Sequence, residues 1–224
     1  MSENREAPRA GITLTAADMR HLNPRLATER ATLYATVLTQ ACVAGEITTN
    51  RRLYNFIGQS AEETGGFTGL VESTNYKDPV RLDSLFKNVH GLDHAKRLIA
   101  EGPAAIANTI YAGKLGNGDP ASGDGFRFRG RGFLQITGRD NYRKIGALTG
   151  MNLEENPDQL GEPEPAAQAA GLFWKLRGIN TPADADDVAA VTKLVNGGAC
   201  LGLPQRRAWH DGSACRTALL HLWL

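Results

Sequence analysis

Apolar residues recur at helical spacing along most of the chain. In residues 26–44, Leu33, Val37 and Ala41 share one face, and Gly45 marks the predicted end of that helix. Thr15, followed by Ala-Ala-Asp, predicts an earlier helix start. Further helices are predicted over residues 51–64, 85–100 (interrupted near Gly91), 104–112, 140–148, 164–176, 184–195 and, more weakly, 206–222. The pattern therefore indicates a mainly α-helical protein.

A glycine-rich segment interrupts this helical pattern in the middle of the chain. Residues 113–132 contain seven glycines, and the short apolar run 133–137 that follows predicts a small β element. A loop of this length is uncommon in a compact domain unless it is functional. We expect a polar tail over residues 1–12 and a single catalytic domain over residues 13–224.

Composition excludes several classes of protein. The 224 residues are 42% hydrophobic and 22% charged, which is typical of a globular protein. With 25 basic and 24 acidic side chains, the net charge of +1 gives no overall attraction to nucleic acid or to a membrane surface. No stretch approaches the roughly 18 consecutive apolar residues of a membrane span, so no stable membrane insertion is expected. The N-terminus is polar and lacks the apolar stretch of a secretory signal, which predicts synthesis in the cytoplasm.

Cysteine and histidine spacing gives no support for a metal site. Cys42, Cys200 and Cys215 cannot all pair, and we expect them to be mostly reduced, leaving open a local disulfide between Cys200 and Cys215. His90 and His94 have the i, i+4 spacing of a helical metal pair, but no third ligand lies at a suitable spacing. We expect neither a metal nor a cofactor.

Two adjacent carboxylates lie near the end of the helix predicted over residues 51–64. On a helical wheel, Glu63 lies about 80° from the centre of the apolar face, whereas Glu62 lies opposite that face. A carboxyl group at an apolar border loses hydration, which raises its pKa and suits a general acid. The alternative is that both glutamates are ordinary solvated residues of a helix end. The apolar face is formed by Leu53, Phe56, Ile57, Ser60 and Thr64.

Glu72 provides a second acidic group nine residues after Glu63. The glycines at 65, 66 and 69 break the helix between them, so that a helix end and a loop could carry the two carboxylates. Glycoside hydrolysis uses such a pair, one group protonating the leaving oxygen and the other activating water.

Several spaced motifs resemble glycoside hydrolase family 19, and most closely its short bacterial and phage endolysin branch. The most specific stretches are YAGKLGNG at residues 111–118 and SGDGFRFRGRGFLQITGRDNY at residues 122–142. The matching motifs keep their order over about residues 50–209, and the matching segments are residues 59–67, 72–76, 110–142 and 195–198.

The resemblance implies a two-lobed, lysozyme-like fold around a cleft, and an inverting mechanism. It implies that Glu63 is the general acid, that Glu72 is the general base, and that the hydroxyl of Thr137 helps to hold the attacking water. The family commonly has His immediately before the acid, where this chain has Glu62. By the same resemblance, substrate-binding positions are Tyr76, Tyr111, Gln135, Asn141, Asn196 and Arg206.

The implied function is an endo-acting glycosidase that hydrolyses β-1,4 linkages of cell-wall polysaccharide containing N-acetylglucosamine. Peptidoglycan is the preferred substrate and chitin the alternative, since no added chitin-binding module is found. A catalytically inactive glycan-binding module is a further alternative, which the Glu62 departure favours. An enzyme made without a signal would reach the wall through a holin, a secretion machine or lysis. An immunity or delivery partner is left open.

A basic stretch, residues 125–144, allows a different hypothesis. It carries five arginines and Lys144 against Asp140 alone, a net charge of +5, with phenylalanines interleaved. This composition resembles an arginine-glycine segment that binds single-stranded nucleic acid. We favour the interpretation that the arginines pair with carboxylates of the same protein, and expect no nucleic acid partner.

Overall fold

The computed structural model describes residues 11–197 and 200–211, and that part of the chain is predominantly helical. The prediction of a mainly α-helical protein is confirmed. The helices are α1 (Ala16–Leu22), α2 (Thr28–Ala44), α3 (Asn50–Glu63), α4 (Pro79–Leu85), α5 (Leu92–Glu101), α6 (Pro103–Ile110), α7 (Asp124–Arg127), α8 (Arg139–Thr149), α9 (Pro163–Leu176), α10 (Asn180–Asp184), α11 (Val188–Asn196) and α12 (Leu203–Asp211). None of these helices is both long enough and apolar enough to span a membrane.

The first of two compact units contains α1 to α3 and α9 to α12. It consists of residues 11–70, residues 132–134 and the described residues from 161 onward. Helices α2 and α9 pack closely, because Gly171 lets the backbone of α9 approach that of α2: a Cβ at Gly171 would lie 3.0 Å from the Cβ of Ala44. Aromatic rings fill the core beside them, with Phe56 edge-on to Trp174 at 5.3 Å.

Helix α3 is buried on nearly all sides. Every residue from Leu53 to Ala61 is buried, although the wheel predicts a single apolar face. The reason is that α10, α11 and α12 all pack against α3. One of its buried polar residues is paired across the unit: Gln59 donates from Nε2 to the hydroxyl of Thr192 at 3.0 Å.

The second unit contains α4 to α8 and consists of residues 71–131 and 135–160. The glycine-rich segment is ordered within it, through a 3₁₀ turn at Pro120–Ser122 and the short helix α7. Gly125 lies directly against the backbone of Ala107 in α6, where a side chain would overlap. The apolar core of this unit is formed by Leu82, Val89, Ala95, Leu98, Ile106 and Ile110.

The predicted β element is reduced to two isolated bridges in the described residues, Val71 with Arg131 and Arg131 with Ile136. Arg131 and Ile136 exchange both backbone hydrogen bonds, which closes a tight turn over the residues between them. Gln135 in that turn has a φ of +46°. The apolar run 133–137 forms no continuous strand, because the chain reverses there.

All five arginines of residues 125–144 have partners within the second unit, and three of them, Arg131, Arg139 and Arg143, pair with carboxylates as the favoured interpretation predicts. The guanidinium of Arg131, almost fully buried, pairs with Asp158 at 2.5 Å. Arg129 lies over the ring of Phe126 at 4.1 Å. Further pairs join Arg139 to Asp124 at 2.6 Å and Arg143 to Glu154 at 2.8 Å, and Arg127 donates to the carbonyl of Glu154 at 2.7 Å.

Several predicted helices have different bounds in the structure, and the one predicted over residues 85–100 begins only at Leu92, in α5. The helix predicted over residues 184–195 is divided, because Asp186 adopts a φ of +57° and Asp187 then caps α11 by accepting from the backbone of Ala190. The helix predicted over residues 206–222 begins at Leu203. The part of this predicted helix beyond residue 211 lies outside the described residues. So do residues 1–10 of the predicted polar tail, and so does Cys215, whose disulfide with Cys200 the sequence leaves open.

Candidate active site

Glu63 is the last residue of α3, and its side chain is only 12% exposed. Its Oε1 accepts a hydrogen bond from Nη2 of Arg206 at 2.6 Å. The side chain of Asn196, the last residue of α11, also hydrogen-bonds the carboxyl group. Within the first unit, the structure thus brings together three residues that the sequence predicted for the site, namely Glu63, Asn196 and Arg206.

Burial controls the acidity of this group. Desolvation raises the pKa of Glu63 above its ordinary value, whereas the charge and hydrogen bond of Arg206 and the hydrogen bond of Asn196 act in the opposite direction. The negative charge of Glu62 adds a smaller increase. The net raised pKa keeps a proton on Glu63 to higher pH, as a general acid requires.

Arg206 is itself buried and held at all of its nitrogen positions. Nη1 donates to Oε1 of Gln59 at 2.5 Å, and Nε donates to the carbonyl of Leu201 at 3.0 Å. Gln59 lies one turn before Glu63 on α3, so its amide and the carboxyl group meet the same guanidinium. Sequence reasoning did not assign Gln59 this role, although the i, i+4 spacing provides the signal.

Helix α12, which carries Arg206, is anchored one turn later by His210. The buried imidazole contacts Asp211 at 2.7 Å through Nδ1 and Asp186 at 2.8 Å through Nε2. His210 is a second residue that sequence reasoning missed, because its partner Asp186 belongs to a turn between α10 and α11.

Glu62 is half-buried rather than fully solvated. Its carboxylate lies against the backbone at Gly202, where a Cβ would be 2.9 Å from Oε1 of Glu62. The helical wheel places Glu62 away from the apolar face of α3, but the segment leading into α12 covers that side. Glu62 and Glu63 therefore have different surroundings. Of these two glutamates, only Glu63 is hydrogen-bonded to Arg206 in the part of the chain that the structure describes.

Glu72 lies in the second unit, with both carboxylate oxygens accepting hydrogen bonds. The hydroxyl of Tyr111 donates to Oε1 at 2.7 Å, and the backbone N–H of Gly130 donates to Oε2 at 2.9 Å. The backbone N–H of Glu72 donates in return to the carbonyl of Gly130 at 2.8 Å. Both the backbone and the side chain of Glu72 are thus hydrogen-bonded to Gly130 in the glycine-rich segment.

Other sequence-predicted residues lie in the turn that follows this segment and in the first turn of α8. Thr137 donates from Oγ1 to the carbonyl of Gln135 at 3.0 Å, and Asn141 donates from Nδ2 to the carbonyl of Thr137 at 2.8 Å. The amide oxygen of Gln135 lies 2.7 Å from where a Cβ of Gly130 would be. Gln135 is therefore adjacent to Gly130, which also bonds Glu72.

Tyr76 is half-buried, with its ring edge-on to Phe86 at 5.5 Å. Desolvation, followed by the charge of Glu72, raises the pKa of its hydroxyl. Tyr76 and Tyr111 both pack against the apolar core of the second unit. Tyr111, which the sequence predicts as a sugar-binding aromatic, is in addition the hydrogen-bond donor to Glu72.

A helical fold with a buried, proton-retaining glutamate and a second, hydrogen-bonded glutamate is typical of lysozyme-like glycoside hydrolases. Comparison with known proteins agrees with this class. No protein-family model matches the chain. A glycosyl hydrolase family 19 domain-containing protein of Haemophilus influenzae is 36% identical over 143 residues, which cover 64% of this chain and 69% of that protein. The chain belongs to glycoside hydrolase family 19, and it is a glycoside hydrolase.

Plant relatives match over smaller shares of their length. Acidic endochitinase Q of Nicotiana tabacum is 30% identical over 105 residues, or 38% of this chain and 42% of that protein. An endochitinase of Arabidopsis thaliana is 35% identical over 144 residues, or 64% of this chain and 46% of that protein. The chain thus spans less than half of these plant enzymes.

Solved structures of similar fold include chitinases. Chitinase C from Streptomyces griseus HUT6037 superposes with a TM-score of 0.56 at 18% identity, with 95% of each chain covered. The family 19, class IV chitinase from Zea mays gives 0.56 at 18% identity, covering 94% of this chain and 92% of that one. These likenesses define the fold as the lysozyme-like fold of family 19.

Proposed function

We propose that this glycoside hydrolase of glycans containing N-acetylglucosamine cleaves β-1,4 linkages within peptidoglycan strands, with inversion at the anomeric carbon. The observation that carries the proposal is the contrast between two glutamates. Glu63 is buried and has a raised pKa, whereas Glu72 accepts hydrogen bonds at both oxygens. One group is thus suited to giving a proton and the other to taking one.

In this mechanism Glu63 protonates the oxygen of the leaving sugar. Burial favours the protonated carboxyl group before the reaction, and Arg206 and Asn196 stabilise the carboxylate that forms as the proton leaves. Because Arg206 is also bonded to Gln59 and Leu201, its guanidinium does not have to reorganise during proton transfer.

Glu72 takes a proton from the attacking water. Its oxygens accept from Tyr111 and from the backbone of Gly130, bonds that an ionised carboxylate makes. The proposed partner in this step is Thr137, whose hydroxyl donates to the carbonyl of Gln135 and keeps its lone pairs for the water. Direct attack by water, with no covalent intermediate, inverts the anomeric carbon.

The preference for peptidoglycan rests on the resemblance of the motifs to the endolysin branch of the family. Chitin is the second candidate, because the structures of similar fold include chitinases. Both polymers offer β-1,4 linkages next to an N-acetylated sugar, so that the same two carboxyl groups serve either substrate.

The test is release of reducing ends from purified peptidoglycan and from chitin oligomers, with wild type beside Glu63→Gln and Glu62→Gln. We expect release from peptidoglycan that vanishes in Glu63→Gln and persists in Glu62→Gln, the matched control one residue away. The first product measured by NMR should be the α-anomer. Release from chitin alone would keep the mechanism and overturn the substrate, and equal loss in both variants would overturn the role of Glu63.

A further inference from the structure

A cavity of about 590 Å³ opens in the first unit, apart from the side chains that hold Glu63. It is lined by the segment that connects α1 to α2, by the turn after α3 and by Trp209 of α12. Leu22 and Leu26 supply apolar walls, while Arg25 and Arg30 supply positive charge. The mechanism proposed above uses none of these side chains.

The indole of Trp209 is a half-buried wall of this cavity. Its Cζ2 and Cη2 atoms lie 3.7 Å from where a Cβ of Gly66 would be. Gly66 has a φ of +74°, so a glycine suits both the backbone and the packing of the ring at that point. Asn23 supports the same turn by donating from Nδ2 to the carbonyl of Gly66 at 2.7 Å. The ring is thus positioned before any ligand arrives.

Among the described residues that line the cavity, the two arginines are the charged ones, and both are positive. Arg30 donates from Nη1 to the carbonyl of Thr68 at 3.2 Å, which places its guanidinium over the turn. No carboxylate lines the cavity, and the ion pairs found in residues 11–197 and 200–211 include neither Arg25 nor Arg30. In this they differ from Arg131, Arg139 and Arg143, which are all neutralised within the second unit.

We propose that this cavity binds the stem peptide of a peptidoglycan strand, with a peptide carboxylate at Arg25 and Arg30 and an apolar peptide side chain against Trp209. Guanidinium groups pair with carboxylates through two parallel hydrogen bonds, and an indole adds apolar contact area. Chitin has no carboxylate, so the cavity distinguishes the two polymers. The inference rests on the proposed function and deepens it, by assigning the peptide to residues separate from the sugar-cleaving glutamates.

The test measures binding of two soluble ligands by calorimetry, a disaccharide that carries its stem peptide and the same disaccharide with its lactyl carboxyl group capped as a simple amide in place of the peptide. The protein is the full chain with Glu63→Gln, which prevents turnover. The unaltered cavity should prefer the peptide-bearing ligand by about tenfold or more, and this preference should weaken as salt is raised. Adding Arg25→Ala, whose side chain makes no hydrogen bond in the described residues, should reduce the preference by several-fold, and adding Arg30→Ala as well should abolish it.

The matched control is Arg97→Ala, which removes the same charge from an exposed position of α5 and should leave the preference intact. An equal preference with and without Arg25 and Arg30 would overturn the inference, as would no preference in the unaltered cavity. Failure of the proposed function is a separate result: the wild type would not release reducing ends from peptidoglycan, whatever the binding ratio.

Discussion

Arg206 donates from Nη2 to Oε1 of Glu63 at 2.6 Å, although the two residues are 143 positions apart in the sequence. The guanidinium fixes the direction of the carboxyl group and opposes the effect of burial on its pKa. A general acid must hold its proton and also tolerate losing it. In the proposed mechanism burial favours the first condition and Arg206 favours the second.

Replacing Arg206 by Met should shift this balance toward the protonated form. Both the charge and the hydrogen bond that lower the pKa of Glu63 disappear, so the alkaline limb of the profile of kcat/KM against pH should move to higher pH. The lost donor to Gln59 should also lower the free energy of unfolding by about 1–3 kcal/mol. Arg206→Lys, which keeps the charge, should show the smaller shift. Movement of the limb to lower pH would contradict the assignment of Glu63 as the acid.

Glu63 should also make stability depend on pH. Because its pKa is raised by folding, the folded state favours the protonated carboxyl group. Its contribution is fully present below the pKa of the unfolded chain and is lost as pH rises through the higher folded value. The difference in unfolding free energy between Glu63→Gln and wild type should therefore shift in favour of the variant from pH 4 to pH 8. Urea unfolding of both proteins across that range measures the difference, and a flat difference would argue against the raised pKa.

Gly130→Ala should displace Glu72 while leaving the fold intact. A Cβ there would lie 2.7 Å from Oε1 of Gln135 and 3.2 Å from Oε2 of Glu72, so both side chains must move. We expect kcat to fall by about tenfold or more, since small errors in positioning are costly in catalysis. Gly69→Ala is the matched control, because a Cβ at Gly69 meets nothing within 4 Å. Equal rates for the two alanine variants would show that the position of Glu72 does not limit the reaction.

Thr137→Ala should slow the reaction more than it weakens binding. The hydroxyl donates to the carbonyl of Gln135, and its loss removes roughly one hydrogen bond to the attacking water, about 1–2 kcal/mol or five- to thirtyfold in kcat. Thr137→Ser keeps the hydroxyl and should restore most of the rate. Steady-state kinetics on a soluble oligomer separates kcat from KM. A rise in KM alone would instead identify Thr137 as a substrate-binding residue.

Hydrophobic periodicity predicted the long helices because their buried residues follow the helical repeat. It placed α9 within one residue of its observed start, and α3 likewise. It could not place the break between α10 and α11, since this depends on the left-handed backbone of Asp186, which no local pattern marks. The turn at residues 133–137 was not predicted, for a similar reason. An apolar run indicates that residues such as Phe133 are buried, but an apolar run does not show that the chain reverses its direction there.

The candidate site was predictable only in part. The wheel placed Glu63 at an apolar border, and its side chain is mostly buried. The wheel could not show that Glu62 is covered by the segment at Gly202, nor that Gln59 and Glu63 both accept from the guanidinium of Arg206. These relationships join residues that are far apart in the chain, so they depend on tertiary packing rather than on local sequence.

The two units are interleaved along the chain, which restricts how the protein can be divided or recombined. Phe133 belongs to the first unit, edge-on to Tyr34 at 5.1 Å, yet it is encoded between residues 131 and 135 of the second unit. A fragment of residues 71–160 would carry Phe133 away from its packing partners and leave a hole in the core it came from. Chimaeras with family relatives should therefore exchange residues 132–134 together with the first unit, as a three-residue graft, if both parents are to contribute intact cores.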